Sequence, residues 1–70
     1  MKHYYKGISY LPNGVKVGKW HHSFREAYKE ALSFGDGITD VHYAHRAREK
    51  YKVDKIIKSR CEENGGMIVE

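Results

Sequence analysis

A chain of 70 residues makes one small domain, and folding at this length hides only about 60% of the surface an unfolded chain exposes, so the core is marginal. Such a scaffold seldom encloses the ~300 Å³ or more that a substrate pocket needs, which argues against an enzyme and for a binding protein. The net charge of +4 points to an acidic partner, the single cysteine rules out an internal disulfide, and no apolar run approaches the ~20 residues of a membrane span.

The segment His3 to Tyr10 is rich in β-formers, with Tyr4, Ile8 and Tyr10 on one face and Tyr5 on the other, and predicts a first strand. Leu11-Pro12-Asn13-Gly14 supplies turn chemistry, and Val15 to Trp20 returns as a second strand to close a hairpin. Ser23 followed by Glu26 has the form of a capping box at a helix start. Beyond it, Phe24, Ala27, Tyr28, Ala31 and Leu32 fall on one helical stripe, expected to carry the core, and Gly35 marks the exit.

Residues 38 to 51 read two ways. A helix would gather Tyr43, Ala44, Ala47 and Tyr51 into a thin stripe. A strand over roughly residues 38 to 46 gives a clean period of two, and it supplies the second neighbour that the first strand lacks. The strand is the preferred reading. On its outward face, and continuing past its end, Arg46, Arg48, Lys50 and Lys52 form one basic row. Val53, Ile56, Ile57 and Cys61 then recur at helical spacing up to Asn64-Gly65-Gly66, predicting a short helix over 53 to 63. Met67 to Val69 is a short apolar end for which pairing with an edge strand, binding to another subunit and simple fraying are all open.

The expected architecture is therefore α+β: a three-stranded antiparallel sheet built β-β-α-β in the order 2-1-3, one packed helix and a short C-terminal helix. All of it belongs to a single domain, residues 1–70, with a polar end from about residue 62.

No motif carries chemistry. His21, His22, His42, His45 and Cys61 match no established metal-ligand spacing, so no metal or cofactor is expected. Cys61 falls near a helix C-terminus, where the dipole opposes a thiolate, and reads as a core filler. Gly35-Asp36-Gly37 follows a helix and lacks the pattern of a phosphate loop. Met1 to Tyr10 mixes charge with tyrosine and is unlike a secretion signal, so a reducing, cytoplasmic setting is expected.

Charge placement is more telling than charge size. Residues 42 to 60 carry seven basic side chains against Glu49 and Asp54, a local +5, while the remainder sums to −1. Aromatics make up 13% of the chain, and Tyr5 and Trp20 are candidates for an exposed patch unless the second helix closes over them. Arg46, Arg48, Lys50, Lys52, Tyr5 and Trp20 are thus the expected partner-binding residues. The leading expectation is a non-catalytic accessory protein, of the kind phages and mobile elements use, that docks on a larger protein with an acidic surface and modulates or inhibits it. The second is a nucleic-acid binder in which the basic row contacts phosphates and the aromatics stack on bases. The missing helix-turn-helix, RNP motif and zinc finger favour the first.

Overall fold

The computed structural model describes residues 2–12, 14–63 and the backbone of 68 and 69. In chain order it runs β1 (Tyr4–Leu11), β2 (Gly14–His21), α1 (Phe24–Leu32), β3 (Ile38–Ala44), a 3-10 turn (Ala47–Glu49), α2 (Lys50–Glu63) and β4 (Ile68–Val69). β1 lies in the middle, antiparallel to both β2 and β3, so the α+β class and the 2-1-3 order read from the sequence are those the chain adopts. The short β4 adds a parallel pairing beside Val15 and Lys16 on the far edge of β2. The expected stop at Asn64-Gly65-Gly66, the turn residue Asn13 and Met67 lie outside the described residues.

Alternation along β1 sorts its side chains between the two helices. Tyr4, Ile8 and Tyr10 turn toward α2, where Val53, Ile57 and Cys61 pack on Ile8, Val15 and Val17 to form the apolar core. Burial pushes the Cys61 thiol above its ordinary pKa, as suits a core filler. A bulge sets the face of the next aromatic. Lys6 pairs with Trp20 and Ile8 with Val17, so Gly18 and Lys19 together oppose Gly7. The extra residue returns Trp20 to the side of Val17, half-buried against the core.

The other face of the sheet is lined by small residues. A Cβ on Gly7 would overlap the Ala27 carbonyl and the Ala31 methyl, and the Ser9 hydroxyl donates to the Ala31 carbonyl at 2.5 Å. The backbone of α1 therefore rests almost directly on β1. Only Ala27 and Ala31 of the expected five-residue stripe are buried; Phe24, Tyr28 and Leu32 remain 56%, 40% and 48% exposed. The core is carried by α2, because a helix seated this close on glycine leaves no room beneath it for large side chains.

Glu30 holds α1 to the bulge. Its carboxylate accepts the Lys19 amide at 2.8 Å and the His21 Nε2 proton at 2.9 Å. Burial alone would raise the Glu30 pKa, but the hydrogen bonds from His21 and Lys19 outweigh it and leave the carboxyl below its ordinary range. The expected capping box is not formed. Ser23 occupies the N-cap position without a side-chain bond, and Glu26 instead lies 3.8 Å from His21 Nδ1.

Candidate functional site

The small residues under α1 have a consequence at its N-terminal end, where aromatic rings gather instead of being swallowed by a core. Tyr5 and Tyr43 are register partners on β1 and β3, with ring centroids 5.2 Å apart. Phe24, the first residue of α1, meets Tyr5 edge-on at 6.1 Å and stacks on Tyr28 at 6.0 Å, one turn further along the helix. On the other side His3 stacks on Tyr43 at 5.7 Å and tilts against His45 at 5.2 Å. The result is a continuous row of six rings across β3, β1 and α1, with Tyr43 46% exposed in addition to Phe24 and Tyr28.

The Tyr43 hydroxyl fixes one end of this row. It lies 2.6 Å from His3 Nδ1 and 2.9 Å from His45 Nδ1, so it can donate to one imidazole and accept from the other. Removal of the hydroxyl from water, then the nearby Tyr5 and Glu49, push its pKa above that of a free phenol, and it stays neutral at physiological pH.

The residues singled out in the sequence do not form one surface. Tyr5 belongs to the ring row, whereas Trp20 lies on the opposite face of the sheet against the core. The expected basic row is broken because the strand ends at Ala44. Arg46 is extended, Arg48 lies in the 3-10 turn, and Lys50 and Lys52 belong to the first turn of α2. The turn is closed by Glu49, whose amide donates to the Arg46 carbonyl at 2.9 Å while its carboxylate accepts the Arg46 amide at 3.3 Å. Lys50 folds inward, its ammonium 4.2 Å from the Tyr4 ring centre and 5.7 Å from that of Trp20. Arg46 and Arg48 remain exposed, Arg48 lining one depression with Lys52, and the basic surface continues along the outer side of α2, where Lys52, Lys55 and Lys58 stand with Tyr51.

A third cluster lies at the open end of β3. Arg60 reaches Asp40 at 3.3 Å and the Tyr10 hydroxyl at 3.5 Å, beside a shallow depression lined by Ile38 and Thr39. His42 stands next to it with Nε2 3.7 Å from Asp40 Oδ2. Burial, reinforced by Arg60 and only partly offset by Asp40, lowers the His42 pKa. Among the described residues no group of three or more His, Cys, Asp or Glu is placed to hold a metal ion, and no helix is long and apolar enough to cross a membrane.

The ring row was only half visible in the sequence. Four of its members sit in two short aromatic-histidine runs, His3-Tyr4-Tyr5 and Tyr43-Ala44-His45, which only the β1–β3 register brings face to face, and Phe24 and Tyr28 join them from α1. Comparisons of the chain with protein-family models, with curated proteins and with solved structures find no match.

Proposed function

We propose that this chain is a non-catalytic binding protein that docks on a larger protein and modulates or inhibits it, with the ring row as its contact surface. The observation that carries this reading is the exposure of Phe24, Tyr28 and Tyr43 side by side on one face. Rigid aromatics with a polar tip lose little entropy on contact and dominate binding energy at protein interfaces. The basic outer side of α2 suits an acidic partner and would speed its approach by long-range attraction. A buried, unpaired cysteine fits work in a reducing compartment such as the cytoplasm.

A second reading, nucleic-acid binding, draws on Lys52, Lys55 and Lys58 flanking the exposed Tyr51. Affinity capture from a lysate of the source cell, with and without nuclease, separates the two. A protein retained after nuclease by the wild-type chain and by Lys52→Ser/Lys55→Ser/Lys58→Ser, but lost with Phe24→Ser/Tyr28→Ser, is the expected result. Capture abolished by nuclease, or by the lysine changes alone, would transfer the function to α2.

A further inference from the structure

β3 ends the sheet, and among the described residues no strand pairs with its outer edge. The hairpin fixes which of its groups face outward. Leu11 pairs with Gly14 across a two-residue turn, a closure that makes Leu11, Ser9 and Gly7 hydrogen-bond to β2 and leaves Lys6 and Ile8 to bond to His42 and Asp40 of β3. Thr39, Val41 and Tyr43 therefore direct their amides and carbonyls away from the sheet. Val41 confirms the parity, since its amide donates to the Asp40 side chain at 2.9 Å and not to β1.

Natural sheets protect such an edge with prolines, bulges or rows of lysine. β3 has none of these; its sequence is Ile-Thr-Asp-Val-His-Tyr-Ala, and its register with β1 runs without interruption over all seven residues. Among the described residues, the Asp40 side chain covers a single amide of this edge, that of Val41.

The edge is also complementary to itself. Laid antiparallel on a second copy about a two-fold axis at Val41, it sets Val41 against Val41, Thr39 against Tyr43 and Asp40 against His42. The outward groups then fall into hydrogen-bonded pairs, for about six main-chain bonds. Asp40 and His42 fall at the alternate positions, where opposed side chains come closest. His42 needs such a partner. Its side chain is only 13% exposed, its Nε2 is buried without a hydrogen bond, and the Asp40 carboxylate of its own chain is too far away at 3.7 Å. A turn of the imidazole toward the edge would bring His42 to a carboxylate from the second copy, while the Val41 amide would move from Asp40 to a main-chain carbonyl.

We propose that the protein pairs with a second copy of itself through β3, in antiparallel register centred on Val41, to make one continuous sheet across a two-fold axis. This pairing is independent of the docking reading above. Because the axis stands perpendicular to the sheet, both ring rows come to the same side, and a partner bound there would meet them together.

Sedimentation of the purified full chain over a range of concentrations tests the pairing. Wild type is expected to approach twice the chain mass. Val41→Pro, which removes an amide that β1 does not use, is expected to stay at the single mass with its circular dichroism unchanged. Asp40→His, which sets two imidazoles against each other, is expected to weaken dimerisation about tenfold or more, and Asp40→His/His42→Asp to restore most of it. Should Val41→Pro fail to fold, amide exchange on the wild type decides: protection of Val41 and Tyr43 that grows with concentration supports the pairing. A single chain mass at the highest concentration, or a dimer in which the Val41 and Tyr43 amides exchange freely, would overturn it.

Discussion

The two faces of the sheet solve the same packing problem in opposite ways. Toward α2 the sheet presents Ile8, Val15 and Val17 to Val53, Ile57 and Cys61, an ordinary apolar core. Toward α1 it presents Gly7 and Ser9 to Ala27 and Ala31, and Gly18 to the Glu30 side chain, so the helix sits close to the strand backbone and its larger apolar residues are left outside. The first arrangement removes much apolar area from water. The second removes little, but it holds Phe24 and Tyr28 in register with Tyr5 and Tyr43. In a chain this small, one face supplies most of the stability and the other is available for contact.

The largest expected effect is in the α2 core. Ile57, 3% exposed, should cost about 2–5 kcal/mol on change to alanine, enough to unfold much of so small a domain. Leu32→Ala, on the exposed flank of α1, should cost less than about 1 kcal/mol despite its similar size. Urea unfolding of the two variants checks the ranking, and equal losses would erase the distinction between the faces.

Gly7→Ala comes next. The added methyl has nowhere to go except into α1, so the helix must lift from the sheet at a cost of about 1–3 kcal/mol. The same change should also disorder the ring row, seen as a loss of near-ultraviolet circular dichroism from the tyrosines. A stable Gly7→Ala with an unchanged aromatic signal would show that the close approach is not needed.

Glu30→Gln should cost about 1 kcal/mol at neutral pH, because the amide accepts the Lys19 and His21 protons less strongly than the carboxylate does. Since the folded protein holds the Glu30 pKa below its ordinary 4.5, the carboxylate stabilises fully above the unfolded value and loses that contribution as pH falls through the folded value. The melting-temperature gap between wild type and Glu30→Gln should thus be widest near neutrality and narrow below pH 4.5. A constant gap would mean that Glu30 acts by packing and not by charge. The smallest effect is expected from Phe24→Ser/Tyr28→Ser, which should change stability by about 1 kcal/mol or less while abolishing capture of the partner.

Much of the fold was legible because local signals agreed with it. The Leu11 to Gly14 turn, the strand alternation of residues 4 to 10 and the helical spacing of Val53, Ile57 and Cys61 each give the correct element. Four features were hidden, each for a physical reason. The stripe on α1 looked like a core because spacing does not reveal that the opposing strand is glycine. The face of Trp20 was reversed by the bulge at Gly18 and Lys19, which breaks the alternation counted from Val15 and Val17. The basic row was an artefact of extending period two past Ala44, where no strand remains to pair and the helix-forming run Ala47-Arg48-Glu49-Lys50 prevails. The ring row needed the β1–β3 register, a long-range fact that neither strand contains alone.

The division of labour between the faces is tested most directly by residue-resolved NMR of the isotope-labelled chain in nuclease-treated lysate of the source cell. Amide signals around Tyr5, Phe24, Tyr28 and Tyr43 should broaden or shift while those of Lys52, Lys55 and Lys58 stay sharp. Broadening confined to the outer side of α2, or a spectrum identical to that in buffer, would contradict the account.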